Sequence, residues 1–301
     1  MGEPVTAGPA GDQGSAGDSA GDTAYEGETA PAYETILLER ADGIAWVTLN
    51  RPEQLNATTE RMHHELLDAF ARVAGDGVSR VLVLTGAGDR AFCIGSDLGF
   101  LTEVLDGDEA DSGQFAAYLE RLNRVVFALE RMPVPTIAMV GAKARASGFE
   151  MVVACDFVLI AEEARIGDVH TPYGHMPGAG ATHRTVRKMG LQPAMELLMT
   201  GRWLTAAEAV EKGLALRSVP RDRLREETAE FARTLAGIPG DCLTHLKAAV
   251  MGGLGRTVEE AVAVETAEYL ALLRVSSGPV DGFRAGQRER ALRRAAAGRG
   301  R

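Results

Sequence analysis

The sequence predicts an α/β core followed by an all-helical C-terminal region, and three observations carry that prediction. Short β-rich runs alternate with helix-period segments from Tyr33 to Arg184. Glycine-rich and charged loops separate them, and beyond Arg184 only helical patterns remain, so the last third reads as helices alone. Two β-rich runs, 35–40 and 45–49, flank Asp42-Gly43, a hairpin signal. From about Thr59 the positions Met62, Leu66, Leu67, Phe70 and Val73 recur at helical spacing, ending near Gly75. The apolar run 81–85 is a strand closed by Gly86 and Gly88, and a helix starts after Gly95-Ser96 with Asp97 in its first turn. A long helix carries Phe115, Leu119, Leu122, Val126 and Leu129 on one face and stops at Pro133 and Pro135. A strand at 136–140, a short helix opened by Ser147-Gly148 and a buried strand at 157–160 follow. Thr205-Ala-Ala-Glu208 and Thr257-Val-Glu-Glu260 match the capping-box pattern of a helix start.

Composition narrows the function classes. A chain of 301 residues, 46% apolar and 25% charged, has the make-up of a globular protein with a sizeable core. Its formal charge of −10 argues against nucleic acid or an anionic membrane as partner, and no apolar run is long enough to cross a bilayer. Cys93, Cys155 and Cys242 sit in apolar contexts, which suits buried thiols in a reducing cytoplasm rather than disulfides or a metal site. Residues 1–32 are acidic, small and free of Lys and Arg, and read as a disordered leader, neither a secretory signal nor a transit peptide. The far end is arginine-rich, leaving a basic tail at 295–301.

Chemistry concentrates in residues 141–184. The helix opened by Ser147 and Gly148 leaves backbone N–H groups without partners, suited to an oxyanion. Glu150 lies one turn in. Ser147-Gly-Phe-Glu150 also matches a capping box, in which Glu150 would bond back to the helix start and do no chemistry. A second loop brings Asp168, His170 and His175 before Pro177-Gly178-Ala179-Gly180.

Five segments in order resemble the crotonase, or enoyl-CoA hydratase/isomerase, superfamily: Leu49-Asn50-Arg51-Pro52 with Leu55-Asn56-Ala57; 91–98; Ser147-Gly148-Phe149-Glu150 to Cys155-Asp156; Ile166-Gly167; and Pro177-Gly178-Ala179-Gly180 with Arg184. The resemblance implies a crotonase-like spiral of ββα units over 33–236 and a C-terminal α-helical trimerisation region over 237–294, assembled as a homotrimer or homohexamer. It also implies coenzyme A as part of an acyl thioester substrate, with no permanently bound cofactor and no metal. The thioester carbonyl would be held by the backbone N–H groups of Ser96 and Ser147. Asn56, Ala57, Phe92, Ile94, Gly95, Asp97 and Gly148 fall on the family's substrate- and CoA-binding segments.

Glu150 falls on the first of the two glutamates that the family's hydratases use as acid and base. At the place of the second, three residues after Gly167, stands His170, so a Glu/His pair is expected to move protons, with Asp168 as a rival to His170. The C-terminal CoA signature departs too: Gly286-Gln287-Arg288-Glu289-Arg290 replaces a Phe and Glu-Lys-Arg, leaving Arg288 or Arg290 to meet a phosphate. These departures sustain two other readings. One is CoA-independent carbon–carbon bond hydrolysis of a cyclic diketone, as in the 6-oxocamphor hydrolase branch; it gives His63 and His170 catalytic roles, although the branch's aspartate falls on Ala179. The other is a catalytically silent scaffold subunit.

Overall fold

The first apolar runs among the described residues pair as β1 (Ile36–Ala41) and β2 (Ile44–Leu49), antiparallel around a two-residue turn. Asp42 and Gly43 there both adopt positive φ, 53° and 73°, as the Asp-Gly dipeptide allows. The computed structural model describes residues 32–105, 113–276, 281–284 and 286–288. The acidic leader up to residue 31, the basic tail at 295–301 and Arg290 lie outside the described residues. Helix α1 (Glu60–Gly75) starts where the sequence places it: the Thr59 side chain accepts from Met62 N at 3.3 Å, and Met62, Leu66, Phe70 and Val73 are buried.

Three ββα turns follow. The first is β3 (Val81–Gly86) and β4 (Ala91–Cys93) with helices α2 (Leu98–Leu105) and α3 (Gly113–Glu130). The second is β5 (Thr136–Val140), β6 (Lys143–Arg145) and α4 (Ser147–Ala154). The third is β7 (Phe157–Ala161), β8 (Arg165–Gly167), a 3-10 turn (Thr171–Tyr173) and helices α5 (Ala181–Met189) and α6 (Leu191–Thr200). In each turn the first strand joins one sheet and the second joins another. The large sheet therefore runs β2, β3, β5, β7 in parallel and the small one β4, β6, β8 in parallel. Repetition of one crossover, advanced by a strand each time, gives the expected spiral. Helix α4 is buried on every side, as a helix apolar all round must be, and Glu150 is its only ionisable residue.

The expectation of helices alone after Arg184 is corrected. A two-residue strand β9 (Leu204–Thr205) pairs antiparallel with β8, ahead of α7 (Ala206–Glu211). Strand β10 (Arg217–Val219) then extends the large sheet beside β7. Strands this short carry no alternation to read; their sheet partners select them. Helices α8 (Leu224–Ala236), α9 (Gly240–Gly253) and α10 (Val258–Val275) complete the chain's described core, and both expected capping boxes form, at α7 and α10. Lys247 ties α9 to the spiral, with Nζ 2.7 Å from Asp156 Oδ2 and 3.2 Å from the Val134 carbonyl.

Cys93 and Cys155 are buried and burial pushes both thiols up to about 12, so neither is a thiolate nucleophile at neutral pH. Among the described residues no helix is long and apolar enough to cross a membrane, and no group of side chains has the make-up of a metal site.

Candidate active site

Strands β4, β6 and β8 lie side by side and parallel, so the loops leaving their C-terminal ends meet. Ser96 follows β4, Ser147 follows β6 and His170 follows β8. The crevice at the carboxyl ends of parallel strands is where α/β folds place ligands. Here it is a cavity of about 300 Å³ whose wall includes Ile94, Ser96, Ser147, Glu150 and His170. Leu98, Leu101, Phe115, Leu119, Leu122 and Met176 make the rest of it largely apolar.

The loops are tied together by backbone bonds that use the amides next to the two serines. Thr58 N donates to the Gly95 carbonyl at 2.9 Å and Asp97 N to the Thr58 carbonyl at 2.9 Å. Ala146 N donates to the Asp168 carbonyl at 3.0 Å. Among the described residues no protein acceptor takes the N–H of Ser96 or of Ser147. A Cβ added to Gly95, at φ 105°, would lie 2.8 Å from Ala146 Cβ and 3.7 Å from Ser147 N, which shows how closely the two loops approach. Ala146 and Val169, at φ 50° and 55°, immediately precede Ser147 and His170. Non-glycine residues held there cost on the order of 1–3 kcal/mol each, strain that the surrounding loops sustain one residue ahead of each group.

Glu150 makes no capping box. The residue before α4, Ala146, forms no side-chain cap, and Glu150 Oε1 instead accepts from Ala179 N at 2.6 Å. Burial raises the Glu150 carboxyl to about 7, against the opposing pull of the Ala179 N–H and the His170 charge. Arg184 sets that acceptor's partner in place: its Nη1 donates to the Ala179 carbonyl at 2.7 Å while Nη2 pairs with Glu130 at 2.6 Å. His170 Nδ1 lies 3.0 Å from Asp168 Oδ1, so Nε2 is the nitrogen left for a ligand. Burial alone would depress the His170 imidazole, but the bond to Asp168 and the charges of Asp168 and Glu150 outweigh it and the net shift is upward. Asp168 itself is fully buried behind His170 and does not line the cavity; it is placed to orient the imidazole rather than to replace it.

Several residues stand elsewhere than the sequence suggested. Asn56, Ala57, Phe92, Gly95, Asp97 and Gly148 are not part of the cavity wall. Asn56 is a brace, donating to the Ala87 and Ala91 carbonyls at 2.9 Å each and accepting from Arg51 N. Asp97 pairs with Arg51 at 3.1 Å. A Cβ on Gly148 would lie 2.3 Å from the Cys93 carbonyl oxygen, so that glycine lets α4 pack against β4.

His63 is neither a surface residue nor a cavity residue. It is fully buried on α1, its ring centroid 6.0 Å from that of Tyr118, and neither ring nitrogen has a partner among the described residues. The carbon–carbon hydrolysis reading loses its second histidine here. Burial, with the nearby Arg121 and His64 charges, lowers the His63 imidazole to about 4. Between its ordinary value near 6.5 and 4 the unfolded chain binds a proton that the folded chain refuses, so stability falls as pH drops through that window. His63→Leu is therefore expected to gain stability over the parent on acidification from pH 8 to 5, by about 2 kcal/mol. Glu150 titrates with the opposite sign but equally in both proteins, so the difference between urea midpoints at the two pH values isolates His63. Midpoints that shift in parallel would refute it.

Tyr118 and Arg145 are among the cavity residues that had no place in the sequence argument. Tyr118, on α3, touches the Ser96 hydroxyl with its own; its position three residues after Phe115, on the apolar face, was the available signal. Arg145, the last residue of β6, lines the cavity beside His170, and its sign was a charge between Ala144 and Ala146, just ahead of Ser147.

Comparison with known proteins gives a consistent result. The profile of the family described as Enoyl-CoA hydratase/isomerase matches residues 39–277. The crotonyl-CoA hydratase of Syntrophomonas wolfei is 30% identical over 78% of this chain and 88% of its own length. The hydroxycinnamoyl-CoA hydratase-lyase of Pseudomonas fluorescens is 36% identical over 70% of this chain and 74% of its own. A crystal structure of an enoyl-CoA hydratase from Bacillus anthracis superposes with a TM-score of 0.79 at 29% identity, covering 85% of this chain and 97% of that one.

Proposed function

The chain belongs to the enoyl-CoA hydratase/isomerase family, and on that footing we propose that it adds water across, or removes it from, the α,β double bond of an acyl-CoA thioester. One observation carries the reading: Ser96, Ser147, Glu150 and His170 share one cavity at the ends of three adjacent strands. The thioester carbonyl oxygen accepts from the Ser96 and Ser147 N–H groups. His170 Nε2 takes a proton from water as the water oxygen bonds Cβ. The π electrons move onto the carbonyl oxygen, where both N–H groups hold the enolate. Glu150 delivers its proton to Cα as the enolate collapses, giving the 3-hydroxyacyl thioester. Glu150 is left ionised and His170 protonated, and transfer of that proton between them restores the pair.

The competent form thus carries one proton shared by Glu150 and His170. With Glu150 near 7 and His170 raised, that form is populated around neutrality and the rate should be bell-shaped in pH. His170→Ala is expected to slow hydration of crotonyl-CoA by about 10²–10⁴-fold, followed by loss of the conjugated thioester absorbance. His170→Glu, which restores the family's two glutamates, should recover part of the loss. Parent-like turnover by His170→Ala would remove the histidine from the mechanism.

The same reading extends to assembly. Leu246, Val250, Val262 and Tyr269 leave apolar surface exposed on α9 and α10, which supports this region as the oligomer contact. Unpaired cysteines support a cytoplasmic setting.

A further inference from the structure

Arg145 is a permanent cation on a largely apolar cavity wall, and among the described residues no carboxylate pairs with it. Its Nε donates to the Ile94 carbonyl at 2.8 Å, and its guanidinium carbon lies 6.0 Å from the Tyr173 ring centre. Among the described residues no Asp or Glu stands within ion-pair distance of it, and neither Nη has a protein acceptor. The one carboxylate on the wall, Glu150, is committed to the Ala179 N–H. Asp168 is committed to His170. A side chain of this kind at a solvated surface would call for no explanation. Here the side chain lines the cavity and its Nε is already spent, which leaves the two Nη groups as a planar pair of donors on that wall.

The place in the fold sets what such a pair can meet. Arg145 ends β6, the middle strand of the three, and is separated from Ser147 only by the strained Ala146. On the reading above, Ser147 N–H holds the thioester carbonyl, so the guanidinium belongs to the acyl side of the substrate, beside His170, with Leu98, Leu101 and Phe115 as the apolar remainder. A saturated or simple unsaturated acyl chain offers that cation nothing. A carboxylate at the far end of a short acyl chain offers two oxygens in the geometry that a guanidinium pairs best.

We propose that Arg145 is a specificity-determining residue that selects acyl thioesters bearing a second, free carboxylate, a short dicarboxylic acyl group. This rests on the thioester reading of the cavity but is tested apart from it, by binding rather than turnover. Glutaryl-CoA and pentanoyl-CoA have the same chain length, and neither has a double bond to hydrate; they differ in the terminal carboxylate. Titration calorimetry with the full-length parent should give glutaryl-CoA the tighter binding by about ten- to hundredfold, the worth of a hydrogen-bonded charge pair. In Arg145→Leu that ratio should fall to about one, and Arg145→Lys should restore part of it. Equal affinities in the parent would overturn the proposal. So would an Arg145→Leu protein that weakens both ligands alike, since the cation would then be reading the phosphates they share. Turnover of crotonyl-CoA and glutaconyl-CoA is scored separately: if the parent hydrates neither while keeping its preference for glutaryl-CoA, the hydratase reading fails and the carboxylate site stands.

Discussion

Glu150→Gln is expected to give a protein that folds, melts higher than its parent at pH 8 and hydrates an enoyl-CoA about 10²–10⁴-fold more slowly. The amide keeps the size of the side chain and an oxygen to accept from Ala179 N, the 2.6 Å bond that fixes it. It has no carboxylic proton to deliver to Cα. The stability gain follows from the burial of the group. Burial raises the Glu150 carboxyl from its ordinary value near 4.5 to about 7, so the folded chain keeps a proton that the unfolded chain has lost. Stability is therefore fully present below 4.5 and is lost as pH rises through 7; at pH 8 the deficit is on the order of 3 kcal/mol. Glutamine does not ionise and escapes it, apart from what its new N–H donor costs in a site built for an acceptor. Melting curves at pH 5 and pH 8 beside single-substrate kinetics separate the two effects. Parent-like turnover would remove Glu150 from the chemistry, and a variant that melts lower at pH 8 than at pH 5 relative to the parent would refute the titration argument. A gain in stability with a loss of rate is the pattern expected where a site is held at an energetic cost for function.

How far the sequence reveals such a site depends on the scale of the feature. Apolar periodicity or an apolar run of four or more residues marks α1, the first strand pair, β3, β5 and β7, because burial dictates those patterns. Strands β4, β6 and β8 have three residues each, and β9 has two; only adjacency in the small sheet makes them strands. Yet those short strands are what gather Ser96, Ser147 and His170. Their convergence was readable only through the resemblance that placed the loops in one family order. Glu150 illustrates the limit of local pattern: the sequence around it fits a capping box, and its partner in the fold is Ala179, 29 residues away. His63 illustrates the converse. Next to His64 it looks like one of a polar pair, but on α1 it falls on the buried side one residue after Met62, while His64 is exposed. Arg145 and Tyr118 left only faint local signs for a third reason, since their importance lies in what surrounds them in the cavity.

The backbone donors face a different test, because no side-chain change removes an N–H. Gly95→Ala acts on their alignment instead. A methyl at Gly95 would lie 2.8 Å from Ala146 Cβ, inside the contact distance of two carbons, and each of these carbons is bonded directly to backbone that hydrogen bonds hold in place. The β4–α2 and β6–α4 loops have to part by some tenths of an ångström. Those are the loops that carry Ser96 and Ser147, so the alignment of the two N–H groups on one oxygen, which the proposed reaction requires, would be lost. Loss of one such donor typically costs about 3–4 kcal/mol of transition-state stabilisation, and a fall in kcat of about 10²–10³-fold is expected, with a smaller change in KM. The substitution also destabilises by roughly 1–2 kcal/mol, since φ at Gly95 is 105°. Kinetics are therefore read well below the melting temperature of the variant. Ser96→Ala is the companion measurement: it keeps the N–H and removes only the hydroxyl contact with Tyr118, and should stay within about tenfold of the parent. If a folded Gly95→Ala protein turns over at the parental rate while Ser96→Ala does not, the hydroxyls and not the backbone amides hold the reacting oxygen. The reverse order ties the reaction to the close approach of two loops, a feature that β4 and β6 create by lying side by side.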